Sequence, residues 1–243
     1  MTRVIFMLTL GQLVRQRRTL LLLLIAALPV GLALLFRLTV GEDGDEFATA
    51  LLGHFVVALV LPLTALVIGT AALGQELEDG TFVYLIAKPL PRWKVVLAKI
   101  GAAWVVTGAV VGASVIASGL ILLAGSDYGG LVVGFTVAVV VGALVYAALF
   151  VSLSIRFGRA LIIGLVYVFV WEGLISQFIA GVRFLSARAY TMAVADAIAD
   201  LPSTVFSGVL APVPAAVLLT LVTLAAVAYA IRRLERYQMS ERV

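Results

Sequence analysis

The sequence predicts an all-α integral membrane protein with six transmembrane helices. Of its 243 residues, 63% are hydrophobic and only 12% are charged, whereas soluble domains carry about 25% charged residues. The apolar residues are gathered in runs long enough to cross a bilayer, which takes about 20 residues in a helix. Polar residues and glycines separate the runs, and the length suits one transmembrane domain over residues 1–243.

Residues 2–17 precede the first long run and are predicted to form an amphipathic helix in the membrane interface. Apolar side chains are interspersed here with Arg3, Arg15 and Arg17, and such a helix directs its cations toward lipid headgroups. A signal peptide is disfavoured because the apolar run after Arg18 is too long and no clear cleavage site follows it. A disordered basic tail is the alternative.

Six apolar runs follow, and each is predicted to be a transmembrane helix. They cover residues 20–40, 50–73, 95–125, 131–153, 160–181 and 209–231. Small residues spaced four apart in the third and fourth runs, Gly108 with Gly112 and Gly130 with Gly134, predict close helix contacts. These contacts are expected within one subunit, and a dimer seam is the alternative.

The basic residues orient these helices. With both termini in the cytoplasm, only three of the 17 lysines and arginines lie outside, namely Arg37, Arg183 and Arg188. Because cytoplasmic loops are enriched in lysine and arginine, we expect a multi-pass protein of the cell membrane with both termini cytoplasmic. The cations lie at the ends of apolar runs without a stripe of interleaved aromatics, so nucleic acid is disfavoured as a partner and lipid is expected.

The segment 182–210 lies between the last two predicted spans. It is too polar to cross the membrane twice and too apolar for a free loop. We expect short interfacial or re-entrant helices on the outer side, broken at Pro202 and Gly208. A simple outer loop is the alternative.

The stretch 74–99 is the most polar long interval in the chain. Three acids come first, and acids suit a helix N-terminus; Thr81 can cap a helix and Pro89 cannot continue one. The pattern predicts a short helix on the cytosolic face that docks onto a partner, and a solvated loop is the alternative. The residues that carry the pattern are Glu76, Glu78, Asp79, Gly80, Thr81, Leu85, Pro89 and Arg92.

This pattern resembles the cytosolic segment after the second span of type-2 ABC exporter permeases. That family shows acid-x-acid-x-Gly-Thr, apolar residues, a proline, a basic residue and a lysine, here Lys99, which opens the third span. Pro91 departs from the pattern, since serine or threonine is more common there. The close match is limited to 76–99, and the remainder agrees in span count and layout.

The resemblance implies the transmembrane permease subunit of an ATP-driven ABC exporter. It further implies a second copy or a homologous permease as partner, and a pair of separate ATPase subunits that bring ATP and Mg. Residues 76–89 would transmit the movement of the ATPase. The short turn containing Arg156, Phe157 and Arg159 would be a second cytosolic contact.

The chain carries few residues suited to catalysis. It has no Walker-type glycine loop, so it is not expected to hydrolyse ATP or to bind a cofactor directly. With no cysteine and one histidine, a metal site is not expected. A membrane serine protease is disfavoured because Val115 follows Ser114 where its motif needs glycine, and because its Ser–His pair would depend on His54 alone.

Glu172 is the one carboxylate well inside a predicted span. Ionisable groups in the membrane are costly and are functional candidates by default. One interpretation places Glu172 in a cargo pathway with His54 and Arg37, and the other gives it a structural hydrogen bond to a Tyr or Ser.

An ion-gradient-driven secondary transporter or channel is the alternative function, although such proteins usually carry several intramembrane charges. The sequence leaves the cargo open.

Overall fold

The computed structural model describes residues 2–15, 17–40, 44–78, 91–124, 129–178, 180–199 and 210–237. Within these ranges the chain forms helices and no strands, which confirms the predicted all-α membrane fold. We number the helices α1 (Thr2–Arg15), α2 (Arg17–Thr39), α3 (45–78), α4 (Arg92–Leu122), α5 (Gly129–Arg156), α6 (160–178), α7 (Ala187–Ala199) and α8 (Pro212–Tyr237). A 3₁₀ turn, Ala180–Leu185, lies between α6 and α7.

Five of the described helices, α2, α3, α4, α5 and α8, are long and apolar enough to cross a membrane. The predicted span at 160–181 corresponds to a shorter apolar helix, Ala160–Ile175 in α6. The next described residues form the 3₁₀ turn Ala180–Leu185, and α7 follows at Ala187, so the predicted span does not continue as one long helix. Two helices also contain wide π-helical stretches, Leu51–Val60 in α3 and Tyr167–Ile175 in α6.

Helix α5 is at the centre of the bundle and packs against α3, α4, α7 and α8. Glycines allow neighbouring helices to approach closely. A Cβ on Gly69 of α3 would lie only 2.9 Å from the Cβ of Phe150 in α5. A Cβ on Gly119 of α4 would lie 2.8 Å from Val132 Cγ2. Large buried side chains such as Tyr146 fill the space between the helices.

The bundle has two ends that differ in charge. The end of α3 meets the end of α5, because a Cβ on Gly74 would lie 3.5 Å from the Cβ of Ser154. We call this the basic end, and its described cations include Arg92, Arg156, Arg159, Arg232, Arg233 and Arg236. At the far end, α3 begins against the last turn of α4, since a Cβ on Gly44 would lie 2.8 Å from the Leu122 carbonyl oxygen.

Helix α1 lies against α4 at the basic end. Ile5 of α1 shares a small apolar cluster with Val95 and Ala98 of α4, and Phe6 approaches Gly101. The predicted N-terminal helix is therefore present, with one face packed on the bundle. Its opposite side exposes Arg3, Val4, Met7, Leu8, Val14 and Arg15.

The glycines at the start of α5 lie against α7. A Cβ on Gly130 would meet the Ala199 carbonyl oxygen at 2.8 Å, and one on Gly134 would meet that of Ala195 at 2.8 Å. The predicted close contact is confirmed here, within one chain. In α4 a Cβ on Gly112 would meet nothing within 4 Å, so a dimer seam at that position stays a prediction.

Replacing Gly134 with alanine is expected to destabilise the protein by about 1–3 kcal/mol, the usual cost of overpacking. The new Cβ would press on backbone atoms of α7, including the Ala199 nitrogen at 3.0 Å. Thermal unfolding in detergent measures the loss. Gly129→Ala is the matched control, because nothing lies within 4 Å of its Cβ position. Equal stability of the two variants would show that α7 does not pack here.

Candidate functional site at the buried Glu172 carboxylate

Glu172 is buried in the bundle, with 2% of its surface exposed, and lies in the π-helical stretch of α6. Three groups donate hydrogen bonds to its carboxylate. The Tyr167 hydroxyl and the Ala187 backbone N–H donate to Oε1 at 3.0 and 2.8 Å. The Ser186 hydroxyl donates to Oε2 at 2.5 Å. Both oxygens are therefore engaged, by residues that come before and after Glu172 in the chain.

The π-helical turn explains why Tyr167 reaches Glu172. In an α-helix, residues five apart are separated by about 140° around the axis, since each residue advances about 100°. A π-helical turn closes after five residues, so it places Tyr167 and Glu172 on the same side of α6. The sequence did not reveal this pair, because a continuous apolar run does not indicate where a helix widens.

Glu172 also lies at the N-terminus of α7. The first N–H groups of a helix lack partners within the helix, and the macrodipole favours a negative charge there. Glu172 accepts the N–H of Ala187, and Ser186 Oγ accepts the N–H of Ala189 at 3.2 Å. Arg188, partly buried in the same turn, also interacts electrostatically with Glu172. These hydrogen bonds link α6 to α7, and they offset the free-energy cost of burying the carboxylate.

Helix α7 runs back along α5 from the middle of the bundle. A Cβ on Gly142 would lie 2.5 Å from Thr191 Oγ1, near the start of α7, while Gly130 meets Ala199 at its end. Gly142 is about 20 Å along α5 from its first residue at 1.5 Å per residue. Part of the segment 182–210 therefore forms a short helix beside α5, whereas Pro202 and Gly208 lie outside the described residues, so the re-entrant or interfacial placement stays a prediction.

The other two residues of the predicted cargo pathway are His54 and Arg37. His54 is exposed on the π-helical stretch of α3. Arg37 donates a hydrogen bond to the Ala124 carbonyl oxygen at 3.3 Å, at the far end. The hydrogen-bond partners of Glu172 are Tyr167, Ser186 and Ala187, so neither His54 nor Arg37 is among them. A shared pathway stays a prediction.

Only part of the predicted docking stretch is described. Glu76 and Glu78 are in the last turns of α3, and Arg92 begins α4. The first two acids therefore belong to a helix C-terminus and not, as predicted, to a helix N-terminus, because the apolar run of α3 continues as helix through Glu78. The residues outside the described ranges are Asp79, Gly80, Thr81, Leu85 and Pro89.

The second predicted cytosolic contact is an exposed turn at the basic end. Arg156 ends α5, and Phe157 and Arg159 are exposed in the turn before α6. Lys99, which the sequence placed at the opening of the third span, is only 1% exposed in α4. Its burial could not be read from its position at the polar end of the run.

A comparison with known protein families finds a match over most of the chain. The family described as "ABC-2 family transporter protein" matches residues 4–239, which is nearly the whole chain. A search of curated proteins found no match.

Proposed function

The chain belongs to the ABC-2 family of transporter proteins and is an ABC transporter permease, and from that premise we propose that it serves an ATP-driven exporter. Two copies, or this chain with a homologous permease, would form the membrane unit. A separate pair of ATPase subunits would bind at the basic end. The observation that carries the proposal is the family match over 4–239, which supports a single permease domain.

The ATPase surface would be built from the chain between α3 and α4. The residues proposed to transmit its movement are Glu76, Glu78, Asp79, Gly80, Thr81, Leu85, Pro89 and Arg92. The exposed turn with Arg156, Phe157 and Arg159 would form a second contact. ATP and Mg would be held by the partner, since the chain has no glycine loop of the Walker type.

The cations favour a cell-membrane protein with both termini in the cytoplasm. Helices α4, α5 and α8 each carry arginines at the basic end, and α3 leads into the docking stretch there. Cytoplasmic surfaces carry the excess of lysine and arginine. In this orientation α7 would enter the membrane from the outer side.

An ion-gradient-driven transporter is the second candidate, and the surroundings of Glu172 argue against it. A carboxylate that carries a proton or ion must be able to exchange its partners during transport. Glu172 is 2% exposed and already accepts three hydrogen bonds, one of them from a backbone N–H. This arrangement favours a fixed link between α6 and α7 over a transported-ion site.

Co-purification tests the proposed partnership. An affinity-tagged chain, isolated in mild detergent from its native cells, is expected to retain a soluble subunit with Walker motifs at a near-equal molar ratio. Mass spectrometry identifies that subunit. Recovery of the folded permease with no ATPase, under conditions that preserve other ABC complexes, would contradict the proposal.

A further inference from the structure

A cleft opens between α5 and α8 at the basic end of the bundle. Its volume is about 380 Å³, and its walls are mainly apolar, with Leu149 and Leu153 on α5 and Val222 and Ala225 on α8. The helices touch at the base of the cleft, where the Ser152 hydroxyl donates to the Ala226 carbonyl oxygen at 2.8 Å. The same hydroxyl lies 2.5 Å from the Ala148 carbonyl oxygen of α5, so it is shared between the two helices beside the cleft.

The cleft lies beside a surface that suits lipid. Three large apolar side chains of α8, Val217, Leu221 and Leu224, are between 53% and 60% exposed. In a transmembrane helix such residues face acyl chains, because lipid tails are as apolar as leucine. The cleft is thus accessible to one acyl chain from the surrounding bilayer.

One arginine lines the cleft, and a second lies one helical turn beyond its lining residues on α8. Arg156 ends α5 and lines the cleft with Tyr229 of α8. Arg233 follows Tyr229 by four residues, so both lie on the same face of α8. The Arg233 Nε is buried and has no hydrogen-bond partner in the described part of the chain. A buried donor without a partner is unfavourable, so a nearby acceptor would stabilise it.

A phosphate group is complementary in charge and hydrogen bonding to these two arginines. Guanidinium groups bind phosphate through paired charge-assisted hydrogen bonds. Glu235, two residues from Arg233, lies on a different side of α8, since two residues advance about 200° around a helix. Among the residues whose side chains are described, none accepts a hydrogen bond from Arg233 Nε. An anionic group at the cleft would complement both cations.

We propose that the cleft between α5 and α8 binds an anionic phospholipid. One acyl chain lies between the apolar walls at Leu149 and Ala225, and the phosphate lies between Arg156 and Arg233. The wall from Leu149 to Arg156 is about 10 Å long, which covers the upper part of an acyl chain. The site uses this chain alone, so the proposal stands or falls independently of the ATPase contact assigned above to Arg156.

Native mass spectrometry of the full chain in detergent tests the site, with added dioleoyl-phosphatidylglycerol or dioleoyl-phosphatidylcholine as probe. The wild type is expected to bind phosphatidylglycerol more tightly. Arg156→Gln and Arg233→Gln are each expected to weaken that binding about fivefold, and together about thirtyfold, at the usual strength of one cation near a membrane surface. Ala225→Trp fills the cleft and is expected to weaken binding of both lipids.

Arg232→Gln is the matched control, because Arg232 is the exposed neighbour of Arg233 on another side of α8. It is expected to leave lipid binding unchanged, and an equal loss would show diffuse attraction and overturn the proposal. Unchanged binding in Ala225→Trp would also overturn it. Ala225→Cys tests occupation by a second copy, since the chain has no other cysteine. Efficient disulfide-linked dimers in lipid would assign the cleft to that copy instead.

Discussion

Glu172→Ala is expected to lower the melting temperature in detergent by roughly 5–15 °C. The substitution removes the acceptor of three buried donors, and each buried donor left unpaired costs about 1–3 kcal/mol. The Tyr167 and Ser186 hydroxyls can turn to other partners, but the Ala187 N–H is fixed by the backbone of α7. A loss of 1 kcal/mol shifts the melting temperature of a chain of this size by about 2–4 °C.

Glu172→Gln separates a structural role from a role of the charge. Glutamine keeps one oxygen for the Ala187 N–H, and its amide can donate to the Ser186 hydroxyl. We therefore expect Gln to retain most of the stability that Ala loses. Glu46→Ala is the control, because Glu46 is an exposed carboxylate at the far end and its removal is expected to change little.

Transport measurements on the same variants complete the test. A stable Glu172→Gln protein with altered transport would support a role of the charge in the cargo pathway. If Glu172→Gln leaves transport and stability unchanged while Glu172→Ala lowers stability, the role of Glu172 is limited to the link between α6 and α7. Equal stability of wild type and Ala would contradict the hydrogen-bond network described here.

Glu78→Lys is expected to weaken binding of the ATPase subunit about tenfold or more, the loss typical of a residue at the centre of an interface. Glu78 is the last residue of α3. A cation at a helix C-terminus is favourable for the helix itself, so the substitution is not expected to destabilise the permease. Any loss of binding would then come from the changed docking surface.

Gly80→Pro tests the same stretch through its backbone. Proline fixes φ and removes an N–H, so it is expected to misplace the residues that follow and to uncouple ATP hydrolysis from cargo. Both variants are measured by ATPase retention and by cargo-stimulated hydrolysis in reconstituted complexes. Glu46→Lys makes the same charge change at the far end and is the control. Wild-type stimulation in both docking variants would contradict a transmission role for this stretch.

The sequence predicted those features that depend on hydrophobicity and local spacing. The apolar runs predicted the membrane helices, and the spacing of Gly130 and Gly134 predicted a close helix contact. The partner of that contact could not be predicted, because α7 reaches α5 only after the chain has turned beyond Phe178. Hydropathy does not distinguish such a turn from the end of an ordinary span.

The surroundings of Glu172 could likewise be predicted only in part from the sequence. Its burial followed from the apolar run that contains it, and a Tyr or Ser partner was anticipated. The pair with Tyr167 depends on a π-helical turn, and the contacts with Ser186 and Ala187 depend on the path of α7. The acids Glu76 and Glu78 were assigned to a helix N-terminus because composition alone does not fix where α3 ends.

The dependence of ATP hydrolysis on a second subunit tests the central claim most directly. The purified chain, reconstituted in liposomes, is compared with the same chain after its co-purified ATPase has been added. We expect no hydrolysis above background from the chain alone, and hydrolysis that responds to the permease once the ATPase is present. Robust ATP hydrolysis by the chain alone, or sustained cargo movement without any ATPase, would contradict the assignment of this chain as an ABC permease subunit.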